Sequence, residues 1–456
     1  MEDGARGVGA APRVAIVGGG WAGCAAAVTL AAEGVPVALF EAGPVLGGRA
    51  RRVVRDGLPL DNGQHLMLGA YRDTLALLAQ VHGGAVPASL LVRRPLALVP
   101  LAASGDALAM TVPPAPGRLG LLLGLLLARG LTWGERWANV RWFQALERNG
   151  FARPAGETVA RMLAPLPPRV ATLLWEPLCV AALNTPAAAA SAQVFANVLR
   201  ASFAADARAC DFVLNATDLT ATFPDAAAHY VAARGGEVTT GTAAQVVACR
   251  RGEVTLAARQ RALTCEAVIV ATGPHQLTTA FAPETLRTHP PLAAAVDAMG
   301  ALRYEPIVTV WLGLPDVVPL PGPIVRLDDA PGQWLIDRPD VATRGEGATR
   351  PAQVVAVVLS AGGPHLDLAH DALVQAVEAQ LARLAPGWPR SAWSQVIAEK
   401  RATYACTPDR VRPAGPRLAP GVYLAGDYVD TEYPATLEAA VRSGVAAARA
   451  WLADRA

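Results

Sequence analysis

The sequence predicts an α/β fold in which a Rossmann-like dinucleotide-binding domain is interleaved with an α+β substrate domain. The first observation is local. The apolar run Val14–Val17 predicts a buried strand, and a glycine-rich turn, a stretch of small helix-forming residues and a second predicted strand follow it. The second observation is that similar predicted strands end at Gly273 and Gly426, far along the chain. The nucleotide-binding domain must therefore be assembled from separated segments.

We predict that residues 11–75, 210–300 and 395–456 form the nucleotide-binding domain. Residues 76–209 and 301–394 are predicted to form the substrate domain. The main predicted elements are a hairpin around Asp56-Gly57, strands over Val35–Phe40, Glu237–Thr239, Ala244–Cys249, Ala267–Val270, Ile307–Leu312 and Val354–Leu359, and a helix over Leu366–Leu384.

The glycine-rich turn after the first strand fits the pattern G-x-G-x-x-G at Gly18, Gly20 and Gly23. Gly18 allows the tight turn, Gly20 lets the backbone approach a pyrophosphate, and Gly23 lets the next helix pack against the strand. Trp21 and Ala22 open that helix, and amides at a helix N-terminus attract phosphate. This segment therefore predicts a dinucleotide site.

An acidic residue at the end of the second strand supports this interpretation. Glu41 lies 18 residues after Gly23 and is followed by Ala42. A carboxylate at this position accepts hydrogen bonds from ribose hydroxyls. Because the same carboxylate would repel a 2′-phosphate, NADP is disfavoured.

Composition excludes some functions. The net charge of +2, from 40 basic and 38 acidic residues, provides no electrostatic footprint for nucleic acid. The six cysteines and seven histidines lack metal-ligand spacing, so no metal site is predicted. We interpret the cysteines as reduced core residues of a cytoplasmic protein, and the N-terminus lacks the pattern of a signal peptide.

A short, very apolar segment stands out in a chain whose mean hydropathy is +0.29. Leu119–Ala128, flanked by Arg118 and Arg129, is too short to cross a bilayer. It is either a buried core helix or an interfacial element. Because tryptophans and arginines follow it, we predict membrane contact over residues 118–143, on the inner face of the cytoplasmic membrane.

Further motifs carry a family resemblance. They are Gly47-Gly48-Arg49, Ala271-Thr272-Gly273, and Gly426-Asp427 with a helix that opens at Thr436 and Leu437. Together with the first glycine motif they resemble the FAD-dependent amine oxidase and phytoene desaturase superfamily over essentially the whole chain. The resemblance implies that the nucleotide-binding domain is a GR2-type, amine oxidase-like domain that binds FAD.

The resemblance also implies roles for individual residues. Gly47 and Gly48 would lie beside the FAD pyrophosphate with Arg49 as counter-ion, and the backbone of Val246 would contact the adenine. The loop with Gln64 and His65 would lie near the flavin ring. In the C-terminal motif, Asp427 would hold a ribityl or phosphate-linked hydroxyl, while amides at the start of the last helix would face the ring. Thr272 and Gly273 belong to the same predicted site.

A narrower resemblance comes from two segments, Asp61-Asn62-Gly63-Gln64-His65 and the stretch from Trp175 to Pro186. They look like signatures of the hydroxysqualene dehydroxylases, squalene-forming flavoenzymes of bacterial hopanoid pathways. This implies an isoprenoid lipid substrate, hydroxysqualene, which is reduced to squalene by loss of water and hydride transfer from reduced FAD. It also implies an electron donor that the sequence does not identify.

Loss of hydroxide requires an acid that protonates the oxygen. The candidates are His65, Asp61 and Glu176. Each has an alternative: His65 merely hydrogen-bonds backbone or flavin, Asp61 caps a turn, and Glu176 forms a salt bridge instead of having a raised pKa. Asn184 either orients a hydroxyl or caps a helix.

Two other functions fit the same fold. In the first, the chain is a phytoene or carotenoid desaturase, or an amine oxidase-like enzyme, that uses oxidised flavin. Alternatively, it is a non-catalytic carrier of prenyl lipids. The intact glycine motif and Glu41 argue against a carrier.

Overall fold

A computed structural model describes residues 12–101, 107–115, 119–204, 206, 208–250, 252–259, 261–344, 351–413, 415–430 and 432–455. Arg118, predicted to flank the apolar segment, lies outside the described residues.

The described chain alternates between strands and helices. The strands are β1 Val14–Val17, β2 Val37–Phe40, β3 Arg52–Arg55, β4 Leu58–Asp61, β5 Met67–Leu68, β6 Leu91–Arg94, β7 Ala97–Leu98, β8 Met110–Thr111, β9 Phe212–Asn215, β10 Glu237–Thr239, β11 Ala244–Arg250, β12 Glu253–Ala258, β13 Arg261–Cys265, β14 Ala267–Val270, β15 Tyr304–Leu314, β16 Ile324–Arg326, β17 Trp334–Asp337, β18 Gln353–Ser360, β19 Trp393–Tyr404, β20 Arg417–Ala419 and β21 Val422–Leu424. The α-helices are α1 Trp21–Ala32, α2 Arg72–Val81, α3 Leu119–Leu127, α4 Trp133–Arg148, α5 Val159–Leu163, α6 Pro168–Val170, α7 Glu176–Leu183, α8 Ala192–Leu199, α9 Leu219–Thr222, α10 Pro224–Ala232, α11 Leu277–Ala280, α12 Pro283–Thr288, α13 Pro290–Gly300, α14 Pro339–Arg344, α15 His370–Leu384 and α16 Leu437–Ala453.

A six-stranded sheet with the order β10-β2-β1-β14-β21-β20 forms the first layer. Its first five strands are parallel, and β20 pairs antiparallel to β21. The strands come from three separated parts of the chain, which agrees with the predicted interleaving. The exact domain bounds remain a prediction. Strands β1, β2, β14 and β21 are buried along their whole length, which explains why they are continuous apolar runs in the sequence.

Close packing joins the two ends of the chain. A Cβ added to Gly444 of α16 would lie 2.1 Å from the carbonyl oxygen of Ala22 in α1, so the two helices pack backbone to backbone. Likewise, a Cβ on Gly23 would lie 1.9 Å from the Gly18 oxygen. The role predicted for Gly23, close helix-strand packing, matches this geometry.

A five-stranded antiparallel sheet with the order β16-β17-β18-β15-β19 forms the second layer. The prediction located β15 and β18 correctly but made β15 too short. The helix predicted over Leu366–Leu384 begins only at His370, because a 3₁₀ turn over Pro364–Asp367 precedes it. One strand of this sheet, β15, changes register against β19 between Glu305 and Ile307.

The helices α3 to α8 form a lobe around buried aromatic side chains, among them Phe143, Trp175 and Phe195. Within the described residues, no helix is long and apolar enough to span a membrane. The six cysteines are buried and free, as predicted.

Candidate cofactor and substrate site

A cavity of about 1400 Å³ runs from the glycine-rich turn into the helical lobe. Pockets for a single small ligand usually measure about 300–1,000 Å³, so this cavity has room for a cofactor and a second ligand. We call the part lined by the glycine turns and the N-terminus of α16 the cofactor cleft. The part lined by apolar side chains of α7, α8, β15, β16, β17 and β18 is the apolar chamber.

The two glycine motifs of the sequence contact each other in the cofactor cleft. The Gly47 amide donates a hydrogen bond to the Gly19 oxygen at 2.8 Å, and a Cβ on Gly48 would lie 3.2 Å from the Gly20 Cα. Gly18 and Gly48 have left-handed backbones, with φ of +108° and +62°, which favour glycine.

Most of the residues predicted around the phosphates line this cleft. They are Gly18, Gly20, Trp21, Ala22, Glu41, Ala42, Gly47, Gly48 and Arg49. Gly23 lies behind the turn and does not line it. Next to Gly20, the nearest atom to an added Cβ is 3.9 Å away, so open space faces this backbone. A pyrophosphate fits such a bare backbone at a helix N-terminus.

Glu41 is held by the loops that flank it. Its two carboxylate oxygens accept hydrogen bonds from the amides of Gly19 and Gly43, each at 2.7 Å. A carboxylate oxygen has further lone pairs, so these bonds leave acceptor capacity for ribose hydroxyls.

Arg49 joins three segments. One terminal nitrogen forms an ion pair with Asp427 at 2.7 Å, and the other donates to the carbonyl oxygen of Ala402, also at 2.7 Å. Asp427 is buried and lines the cleft. Part of the arginine's capacity is therefore used by the protein, while its remaining donors can still serve a phosphate.

The C-terminal motif contributes the far wall of the cleft. Thr272, Gly273, Gly426, Asp427, Thr436 and Leu437 all line it. The Thr436 side chain caps α16 by accepting from the Ala439 amide at 3.1 Å. The residues predicted from the C-terminal motif and from Thr272-Gly273 therefore lie together along one wall of the cleft.

Val246 does not reach the cleft. It is fully buried in β11, and its carbonyl oxygen accepts from the Ala282 amide at 2.8 Å. Ala243 and Ala244, shortly before it in the chain, line the cavity instead. The position of Val246, which pairs within its own sheet, therefore does not agree with the predicted place in the cofactor site.

Gln64 and His65 line the cavity, as predicted for a loop near the flavin ring. The Gly63 carbonyl lies 3.0 Å from His65 Nδ1, which must carry the proton because a carbonyl only accepts. Burial lowers the pKa of His65 to about 4. At neutral pH His65 is therefore a neutral ring that accepts at Nε2, which argues against the predicted role as acid.

Asp61 is fully buried and does not line the cavity. Its carboxylate accepts from the Leu219 amide at 2.8 Å and lies 3.1 Å from the Arg338 guanidinium. Burial raises the pKa of Asp61 to about 6, although the Arg338 charge opposes the shift. A suitable pKa without access to substrate does not make an acid catalyst, and Asp61 is a structural ion-pair partner.

Glu176 also fails the geometric test. The residues of α7 that line the cavity are Leu178, Ala181 and Ala182, spaced as one helical face, and Glu176 lies on another face. No ion pair with Glu176 occurs among the described residues. The predicted salt bridge is therefore not observed among the described residues, and Glu176 does not face the cavity.

Asn184 ends α7 in a left-handed conformation, with φ of +47°. Its amide nitrogen donates to Thr403 Oγ1 at 2.9 Å and to the backbone oxygens of Glu305 and Pro306. Its oxygen accepts from the Ala361 amide at 2.6 Å. Of its two predicted roles, capping a helix is the one observed, and the same side chain joins α7 to the second sheet.

Two residues near the motif were missed in the sequence. Arg338 donates a hydrogen bond to Gln64 Oε1 at 2.7 Å and forms an ion pair with Asp340, so it fixes the orientation of the Gln64 side chain. Glu399 of β19 lines the cavity beside the motif and accepts from Asn62 at 3.0 Å. Neither belongs to a recognisable motif, because only the pairing of distant strands brings them to this loop.

The chain is similar to several known proteins. The family model described as flavin containing amine oxidoreductase matches residues 21–452. A hydroxysqualene dehydroxylase of Rhodopseudomonas palustris is 27% identical, and one of Sinorhizobium fredii is 26% identical; each comparison covers 95% of this chain and 97% of the relative. The structure of an oxidoreductase from Methanosarcina mazei is similar with a TM-score of 0.71 at 17% identity, covering 95% of this chain and 98% of that one. This last likeness concerns the fold alone.

Two glycine substitutions should separate cofactor binding from folding. We expect Gly20→Ala to leave the stability of the apoprotein nearly unchanged, since an added Cβ meets no protein atom within 3.9 Å. It should weaken FAD binding at least about tenfold, or about 1.4 kcal/mol, because the methyl group fills the approach to the pyrophosphate. Gly23→Ala should instead destabilise the apoprotein by about 1–3 kcal/mol through the clash with Gly18. Flavin fluorescence titration and thermal unfolding provide the two measurements; wild-type FAD affinity in Gly20→Ala would contradict the site.

The protonation state of His65 is directly measurable. We expect its ¹⁵N shifts in histidine-labelled protein to report a neutral ring, protonated at Nδ1, down to about pH 5, because the folded-state pKa is about 4. The unfolded chain binds the proton near the ordinary pKa of about 6.5, so this residue's contribution to stability is lost as the pH falls from about 6.5 to 4. Unfolding of His65→Gln should therefore be less acid-sensitive over that range. A ring that is protonated at pH 6 would contradict this assignment.

Proposed function

The chain belongs to the flavin containing amine oxidoreductases and is an FAD-dependent oxidoreductase, and we propose that it reduces hydroxysqualene to squalene with loss of water. The observation that carries this proposal is the apolar chamber that continues from the cofactor cleft. The two relatives named hydroxysqualene dehydroxylase, aligned over nearly the whole of both chains, support it.

The chamber suits a long hydrocarbon. Its wall is mostly apolar and includes Leu96, Leu98, Leu178, Phe195, Val198, Leu199, Phe203, Phe212, Ile307, Ile324, Trp334, Ile336 and Val358. Burial of apolar surface contributes about 25 cal/mol per Å², so such a wall binds an isoprenoid chain without polar recognition. The polar side chains near the cleft, Gln64, His65 and Glu399, would then meet the hydroxyl end.

Within this proposal the residues of the cleft hold FAD, which supplies hydride when bound and reduced. Glu41 would bind the ribose, the Gly18–Gly20 turn and Gly47–Gly48 would bind the pyrophosphate, and the N-terminus of α16 would contribute to the flavin end of the site. Neutral His65 offers a hydrogen-bond acceptor at Nε2 to the substrate hydroxyl. The apolar wall excludes water, which limits side reactions of a cationic carbon.

We also propose peripheral contact with the cytoplasmic membrane, where such a substrate dissolves. Helix α3 buries one face, with Gly124 and Leu125, and exposes the stripe Leu119, Leu123 and Leu127 at 49, 36 and 66%. Trp133 and Trp137 of the adjacent α4 are 65 and 52% exposed, and Arg129 and Arg141 nearby are exposed as well. Leucines and tryptophans beside arginines are typical of a surface that lies in the headgroup region.

The reaction can be tested in a single turnover. We expect photoreduced holoenzyme, mixed anaerobically with hydroxysqualene, to form about one squalene per flavin oxidised, because one hydride replaces one hydroxide. Mass spectrometry and flavin absorbance measure the two quantities. Oxidised holoenzyme with the same alcohol serves as the control and should form no squalene. Conversion of phytoene by oxidised enzyme, without squalene from hydroxysqualene, would replace this proposal with the desaturase.

Membrane contact can be tested with vesicles that contain an anionic phospholipid. We expect the double substitution Leu123→Glu and Leu127→Glu to reduce co-sedimentation at least about tenfold, because each buried leucine contributes about 1.5–3 kcal/mol. Val317→Glu is a matched control, since Val317 is 70% exposed outside the patch. Equal binding of the double variant and wild type would contradict this contact surface.

A further inference from the structure

The reaction proposed above needs a proton for the leaving hydroxyl, and the structure narrows its source. Within the described part of the chain, the carboxylates that line the cavity are Glu41, Glu399 and Asp427. Glu41 is held by the amides of its own loops in the cofactor cleft, and Asp427 is committed to Arg49. Glu399 is the carboxylate that is left for the substrate.

The position of Glu399 follows from the register change in the second sheet. Ile307 of β15 pairs with Glu399, and Glu305 pairs with Thr403, so one residue of β15 lies opposite three of β19. Such an irregularity bends a strand and redirects its side chains. As a result, Lys400, Arg401 and Ala402 leave the ladder and line the cavity together with Glu399, which stays paired with Ile307.

The motif that begins at Asp61 holds this carboxylate. Asn62 donates to Glu399 Oε2 at 3.0 Å, and the same amide group lies 3.3 Å from the Arg49 carbonyl oxygen. The other carboxylate oxygen accepts from the Arg401 amide at 3.2 Å. Glu399 is half-buried, and no ion pair with it occurs among the described residues. Its oxygens are oriented by neutral donors and remain available to a ligand.

We propose that Glu399 is the catalytic acid that protonates the leaving hydroxyl; this inference rests on the proposed function. The Glu399 O–H bond breaks and its proton goes to the substrate oxygen, while the allylic C–O bond breaks and water leaves. Reduced FAD, bound as the anionic hydroquinone, would supply the hydride that replaces the hydroxyl on carbon and would be oxidised by two electrons. The Glu399 carboxylate regains a proton from solvent. The alcohol, reduced flavin and one proton thus become the hydrocarbon, oxidised flavin and water.

Charged and titratable groups of several segments surround Glu399. Arg49 faces it, but the charge of this arginine is offset by Asp427. Lys400 and Arg401 on the same strand are exposed, so solvent screens them. His65 and His275 also interact with Glu399, and both are uncharged at neutral pH because burial lowers the pKa of each ring. An apolar substrate that fills the chamber would exclude water from the half-buried carboxyl group.

The test compares two leaving groups. With the allylic alcohol, we expect Glu399→Gln to slow single-turnover flavin oxidation about 10²- to 10⁴-fold. With the corresponding allylic chloride, whose leaving group needs no proton, the variant should react within about threefold of wild type. Substrate affinity, measured by perturbation of the oxidised flavin spectrum, should also stay within about threefold.

Glu176→Gln is the matched control, because Glu176 does not line the cavity and should keep both activities. Glu399→Asp retains an acid and should keep part of the alcohol activity, so it also tests the role if Glu399→Gln folds poorly. The assignment is overturned if Glu399→Gln converts the alcohol at the wild-type rate. It is also overturned if the variant loses equal activity with the alcohol and with the chloride. If wild-type enzyme forms no squalene from the alcohol, the proposed function itself fails.

Discussion

The ion pair between Arg49 and Asp427 is the interaction on which the site depends. It joins residues 378 positions apart, at the end of the first glycine region and at the end of β21. Asp427 is buried, and a buried carboxylate is costly unless a cation and hydrogen bonds compensate it. The same guanidinium also donates to Ala402 of β19. The cofactor cleft is therefore formed only when the N-terminal segment, the C-terminal segment and the second sheet are all in position.

The register change between β15 and β19 provides backbone acceptors both for Arg49 and for Asn184. It leaves the Ala402 oxygen free to accept from Arg49, and it leaves the Glu305 and Pro306 oxygens to Asn184. An interruption of a ladder normally leaves backbone groups without partners, which is unfavourable in a buried place. Here the side chains of two distant segments supply the partners. These hydrogen bonds stabilise the register change at the place where the cofactor cleft meets the apolar chamber.

The polar loop between cleft and chamber illustrates how burial assigns chemical roles. Asp61, Gln64 and His65 lie within five positions of one another, yet they face different surroundings. Asp61 is turned into the protein against Arg338, and the half-buried His65 ring stays neutral at the cavity. Gln64 is held by the same arginine. Among neighbouring titratable groups, access and desolvation decide which one can exchange a proton with a ligand.

The sequence by itself determined the strands of the first sheet, the glycine turns, the acidic residue after the second strand and the family of the chain. These features depend on local spacing: an apolar run, a turn that requires glycine and a helix start follow one another within a few residues. Only the tertiary structure decided that Val246 and Glu176 stay away from the cavity and that Arg338 and Glu399 come to the loop after Asp61. The reason is that strand register and helix orientation depend on contacts between distant segments, which no local pattern encodes.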